Sequence, residues 1–244
     1  MREVALSHGA RAVFGGLSLR LAGGRWHAVL GRSGVGKSTL LRAIAGLRAP
    51  DAGRIEADDG APLAPRLAYL AQDDGLLPWL SVRENVLLGP RLRGRRDAAD
   101  EARARDLLGR VGLGGCGEAR PGALSGGMRQ RVALARTLLE GRPVVLMDEP
   151  FSRLDALTRA ELQDLARELL AGCTVVLVTH DPLEAMRLAD TVTVLHGGAP
   201  SRLSTLTLDG SPPRDPDDVA VVAGARALRE RLAGPGTPAR AGAA

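Results

Sequence analysis

The chain has 244 residues, with 33 basic against 28 acidic side chains and a formal net charge of +5, long enough for one large domain or for a domain with a built-in subdomain around a sizeable core. Apolar residues make up 45% of it, and no apolar run approaches the roughly 20 residues of a membrane span, which excludes both a chain disordered throughout and a membrane-spanning one. Cys116 and Cys173 make neither a disulfide framework nor a zinc site, and Met1-Arg2-Glu3 has no apolar stretch behind it of the kind a secretory signal carries; the chain reads as cytoplasmic.

In chain order, Val4–Leu6, Leu17–Leu21 and Trp26–Leu30 have strand character, and the last runs into a glycine-rich turn. Ser38–Leu47 is expected to be a helix, with Leu40, Leu41, Ile44 and Leu47 on one side and Gly46 near its end. A strand at Leu67–Ala71 leads into Gln72. From about Gly75 to Gly141 the sequence is predominantly helical and more charged. Strands then return at Val144–Met147, Thr174–Thr179 and Thr191–Leu195, separated by helices at Leu157–Leu170 and Pro182–Leu188. This alternation on both sides of a helical insertion predicts an α/β sheet with a helical subdomain plugged into it. One amphipathic helix is expected at about Asp218–Ala233, followed by a Gly/Pro/Ala tail, Gly234–Ala244, expected to be disordered.

The basic balance does not read as a nucleic-acid signal. The arginines are spread along the chain among Asp and Glu, and Phe14, Trp26, Tyr69, Trp79 and Phe151 are the only aromatic residues. A duplex binder needs a clustered basic face and a single-strand binder needs stacking platforms. All but one of the 33 basic residues are arginine, and the exception is Lys37.

Lys37 sits in Gly31-Arg32-Ser33-Gly34-Val35-Gly36-Lys37-Ser38, a G-x-x-x-x-G-K-[ST] run between an apolar strand and a helix, with Thr39 next. Glycines let successive backbone N–H groups point inward at an anion, and the helix adds its positive end. Lys37 is placed to reach β/γ-phosphates and Ser38 to ligate Mg²⁺. A guanidinium is bulkier than an ammonium, so a tight phosphate cradle is where arginine cannot replace lysine.

A second glycine-bearing helix start, Leu124-Ser125-Gly126-Gly127-Met128, opens a helix with an apolar stripe of Met128, Val132, Ala135 and Leu139. Ser125 is a natural N-cap, so this is either another anion site or an ordinary capped helix. Val144–Asp148 is an apolar strand ending in Asp148-Glu149, the arrangement that offers one acid to Mg²⁺ and one to an attacking water. Ser152-Arg153-Leu154-Asp155 follows, and Val178-Thr179-His180-Asp181 ends another apolar strand in a histidine.

In this order the set resembles the ATP-binding cassette (ABC) family, the ATPase subunits of ABC transporters. The resemblance covers residues 1 to about 208: Walker A at Gly31–Ser38, the Q-loop at Gln72, the signature Leu124–Gly127, Walker B at Val144–Asp148 with Glu149, the D-loop around Asp155, and the switch histidine His180. It implies a P-loop NTPase (RecA-like) core at 1–74 and 142–208, a helical subdomain at 75–141, and a C-terminal extension at 209–233. Gln72–Trp79 and Gly197–Leu203 are similar to importers of nitrate, sulfonate, taurine and thiamine-precursor type.

The resemblance further implies a site for ATP and Mg²⁺. Gly31, Arg32, Ser33, Gly34, Val35, Gly36, Lys37, Ser38 and Thr39 would hold phosphates, and Ser38, Gln72 and Asp148 would serve the metal. Glu149 would polarise water, with His180, Lys37 and Gln72 in the catalytic set. Ser125, Gly126 and Gly127 would close on ATP held by a second protomer, giving a head-to-tail homodimer. Permease subunits would dock near Leu77-Pro78-Trp79, Trp79 reading equally as core. A solute-binding protein is an indirect partner, no nucleic acid is expected, and the place is the inner face of the cell membrane. The alternative is a soluble ABC ATPase not involved in transport. Three departures stand out: His8 where an aromatic residue usually stacks on adenine, Met128 where the signature usually ends in Gln, and Arg153 in the D-loop.

Overall fold

The computed structural model describes residues 1–9, 11–94, 97–196 and 202–233. The Gly234–Ala244 tail and most of the Gly197–Leu203 segment lie outside the described residues.

β1 (Arg2–His8) and β2 (Arg11–Leu17) form an antiparallel hairpin, and β1 pairs on its other side with the short β4 (Ala52–Arg54). Between them in the chain come β3 (Trp26–Gly31) and α1 (Lys37–Ile44). Every residue of β3 is buried, as a strand covered on both faces must be. β5 (Leu67–Leu70), β6 (Val144–Asp148), β7 (Thr174–Val178) and β8 (Thr191–His196) run parallel to it in the order β5-β6-β7-β3-β8, and β9 (Arg202–Thr207) adds an antiparallel edge. Among the described residues, four α-helices lie between β5 and β6: α2 (Val82–Val86), α3 (Leu88–Leu92), α4 (Ala98–Arg110) and α5 (Gly126–Leu139). α6 (Ala156–Leu169), α7 (Pro182–Leu188) and α8 (Val219–Ala233) follow β6, β7 and β9 respectively.

The pleat of β3 sorts its side chains between two layers. Val29 packs with Leu40, Leu41 and Ile44 of α1 and with Val4, Leu6 and Phe14 of the antiparallel sheet. Ala28 and Leu30 face Ala185 and Met186 of α7 and Val221, Ala225 and Leu228 of α8. A third cluster joins Val145 and Met147 of β6 to Val132, Ala133 and Leu134 of α5. α2 opens on a capping box, with Ser81 and Glu84 satisfying each other's backbone N–H groups.

Parallel pairing has one consequence for function: the strands β5, β6, β7 and β3 all end at the same edge of the sheet, where open α/β sheets bind ligands. The register aligns Asp148 with Val178 and Val178 with Val29.

The strand expected at Leu17–Leu21 is instead β2, at Arg11–Leu17. Leu17 and Leu19 are both buried, which produced the alternating pattern, but beyond Leu17 the expected strand forms no ladder: Leu19 N–H and C=O meet Met1 instead. β4 and β9 were not expected. Trp79 is 66% exposed, so it is not part of the core.

Candidate functional site

The turn after β3 and the start of α1 form the floor of a cleft of about 800 Å³. Ser33, Gly34, Val35, Gly36, Lys37, Ser38 and Thr39 line it, with His8, Ala12 and Val13 on one side and Gln72, Glu149 and His180 on the other. Gly36 has φ +110, and a Cβ there would lie 2.7 Å from Val13 Cγ1 and 3.0 Å from the Phe14 ring. Glycine is thus required twice at that position, by backbone conformation and by the close approach of β2.

Lys37 is buried, and its ammonium turns back over the loop, donating to Gly31 O at 2.8 Å and Arg32 O at 3.2 Å. Burial pushes its pKa below the ordinary lysine value, and the charges of Glu149 and Asp148 oppose that shift. Asp148 is 1% exposed. Burial raises its carboxyl above the usual range, the Ser38 hydroxyl bonded to it pulls the other way, and Glu149 adds to the rise. Its Oδ1 is buried with no hydrogen-bond partner. A hydroxyl beside a desolvated carboxylate with an orphaned oxygen is a donor set suited to a hard, oxygen-seeking divalent cation.

Glu149 follows directly and takes φ +50, a left-handed conformation that costs a bulky residue on the order of 1–3 kcal/mol and persists only where the surroundings impose it. They do so here. Its N–H donates to Val178 O at 2.8 Å, and its C=O accepts from Gln130 Nε2 at 3.0 Å and from Ser152 Oγ at 3.0 Å. The turn aims the carboxylate into the cleft, where Oε2 lies 3.3 Å from Nδ1 of the exposed His180.

Ser125, Gly126 and Gly127 do not line this cleft. Ser125 is exposed and caps α5, accepting from Met128 N at 3.2 Å. Two arginines of α5 hold the segment after Gln72: Arg129 Nε meets Asp74 Oδ2 at 3.0 Å, and Arg136 donates to Asp74 O at 2.6 Å and Gly75 O at 2.9 Å. Arg153 reaches Asp73 at 3.3 Å, and Met128 packs half-buried against the core.

Two further residues belong to the site's surroundings. Arg48 donates to the His8 ring at 3.0 Å and to the Ser7 carbonyl, a contact across separate elements that leaves no local sequence signal. Gln130 is buried. It shares a helical face with Ala133, Leu134 and Thr137, and a polar residue on such a face is the signal that could have found it. His27 is buried, bonded to Thr191 Oγ1 at 2.6 Å and Ala22 O at 2.8 Å, and takes no part in the cleft.

The chain is similar to known proteins in sequence and in fold. Residues 14–152 match the ABC transporter family model. The chain is similar to a thiamine import ATP-binding protein of Cereibacter sphaeroides, at 48% identity over 76% of this chain and 84% of the relative. It is similar to an aliphatic sulfonates import ATP-binding protein of Granulibacter bethesdensis, at 41% identity over 96% of both. Among solved structures, a dimeric bacterial ABC transporter cassette superposes with a TM-score of 0.76 at 27% identity, covering 86% of this chain and 98% of that one. A post-hydrolysis dimer bound to ADP and Pi gives 0.75 at 28% identity, with the same coverage. With its phosphate loop, paired acids and histidine at one sheet edge, the chain belongs to the ABC transporter family as one of its ATP-hydrolysing cassettes.

Proposed function

We propose that the chain powers an importer of a small solute, of sulfonate, nitrate, taurine or thiamine-precursor type, from the cytoplasmic face of the membrane. The observation that carries this reading is the division of anion-binding features: one cradle opens into the cleft through Ser33–Thr39, opposite Gln72, Glu149 and His180, while the second, Ser125–Gly127, lies outside it. The import roles named for the thiamine and sulfonate relatives support the transport assignment.

ATP is held through its phosphates by the loop N–H groups and by Lys37, whose ammonium exchanges its carbonyl partners for phosphate oxygens. Ser38, Asp148 and Gln72 would hold Mg²⁺, which would neutralise phosphate charge when bound. Glu149 polarises the attacking water, and His180 contacts the γ-phosphate while holding the Glu149 carboxylate. Ser125, Gly126 and Gly127 present backbone N–H groups to ATP held by a second protomer, so each nucleotide lies in a composite site. ATP bonds both halves only in the closed dimer and therefore drives closure. Residues 75–141 act as the helical subdomain that carries this movement to permease subunits, with Leu77-Pro78-Trp79 as the contact; an exposed tryptophan fits that role. Among the described residues no helix is long and apolar enough to cross a membrane, which fits a peripheral subunit with separate permease chains. A solute-binding protein supplies the solute to those permeases.

The test is ATP hydrolysis by the purified full chain, alone and with co-expressed permease and solute-binding subunits, and by Ser125→Ala. Stimulation by those subunits supports the importer; stimulation by DNA or RNA instead of them contradicts it. Ser125→Ala is expected to bind ATP as a monomer within about twofold of wild type while turnover falls about tenfold or more. Loss of monomer binding would contradict a role toward the partner's nucleotide.

A further inference from the structure

We propose that Gln130 is a positioning residue for hydrolysis, a strut that ties the placement of Glu149 to the helix carrying Ser125. Both ends of its amide are used. Nε2 donates to the carbonyl of Glu149 at 3.0 Å, and Oε1 accepts the backbone N–H of Arg153 at 3.1 Å. The orientation is forced: flipping the amide would set donor against donor and acceptor against acceptor.

The grip matters because Glu149 has φ +50 and needs its neighbours to keep it there. A carboxylate that activates water loses about 100-fold in rate when misplaced by about 1 Å. Gln130 is 6% exposed and lies in the first turns of α5, so it moves with that helix, whose first residues are Gly126 and Gly127 behind the capping Ser125. Whatever shifts Ser125 therefore shifts the backbone that aims Glu149 and, through Arg153, the turn that follows it. This coupling rests on the composite-dimer reading above. In that dimer Ser125 serves the partner's nucleotide and Glu149 its own, so Gln130 makes each site's water-activating group respond to occupancy of the other.

Gln130→Met keeps length and packing and removes both hydrogen bonds. Gln130→Glu keeps an acceptor for Arg153 N–H and removes the donor to Glu149. In the full-length chain both are expected to bind ATP within about twofold of wild type, to lose about tenfold or more in kcat, and to show a Hill coefficient for ATP of about 1. The double variant Glu149→Gln/Gln130→Met is expected to be no slower than Glu149→Gln alone, because the strut acts only through that group. Folding is followed by the melting transition; if Gln130→Met does not fold, Gln130→Glu carries the same comparison. A folded variant with wild-type kcat, or a double variant slower by the product of the two single effects, overturns the proposal. A wild-type chain that hydrolyses ATP without dimerising overturns the composite-dimer reading instead, and the kcat and double-variant comparisons still decide the positioning role within one protomer.

Discussion

Nδ1 of His180 lies 3.3 Å from Oε2 of Glu149, and the two come from the ends of neighbouring parallel strands. The Glu149 N–H bonds to Val178 O at 2.8 Å, so a single ladder bond sets the height of both groups at the sheet edge. The histidine is 63% exposed and the glutamate 19%. The imidazole thus stands at the mouth of the cleft, where a γ-phosphate would arrive, and the carboxylate lies behind it.

Lys37→Arg tests the cradle. The ammonium is a compact charge that fits against two loop carbonyls, and a planar guanidinium in the same buried space would displace the loop. ATP affinity measured by titration calorimetry is expected to fall about tenfold or more with the melting transition retained. Affinity equal to wild type would show that the loop does not discriminate charge shape.

His8→Tyr tests the nucleobase side. His8 lines the cleft and its ring is engaged by Arg48 at 3.0 Å. Imidazole offers less stacking area than a phenol ring, so the substitution is expected to raise ATP affinity about two- to fivefold and sharpen the preference for ATP over GTP. No change in either would remove His8 from the adenine site.

Glu184 gives a pH-dependent stability. Gln163 Nε2 donates to its Oε2 at 3.1 Å while Oε1 is buried without a partner. Burial pushes its carboxyl from 4.5 up to about 7. Between those values the folded chain keeps a proton that the unfolded chain has released, so stability from this group is full below 4.5 and is lost as pH rises through about 7. The loss amounts to roughly 3 kcal/mol. Urea midpoints for wild type are expected to fall across that window relative to Glu184→Gln, which cannot titrate; parallel pH profiles would contradict this.

The cradle was legible because its residues are contiguous: Gly31–Ser38 carries its own geometry, and Asp148-Glu149 announces itself at the end of an apolar strand. Parallel pairing then brings together what the chain separates. The antiparallel sheet was less legible. Gly15 and Gly16 weaken the strand signal inside β2, Leu17 and Leu19 alternate convincingly beyond it, and β4 is three exposed residues with no apolar pattern. The partners of distant contacts could not be read locally, as with Arg48 against His8 and Gln130 against the Glu149 carbonyl. Apolar periodicity located the α5 stripe and put Gln130 on a face shared with Ala133 and Leu134, but it did not say which backbone groups the buried amide would bond.

Turnover by Glu149→Gln tests the central claim most directly. The amide keeps the shape of the side chain and removes its basicity, so ATP is expected to bind within about twofold of wild type while hydrolysis falls about 100-fold or more, as loss of a general base does. Hydrolysis by this variant at the wild-type rate would contradict the account, because Glu149 would then not be the group that activates water.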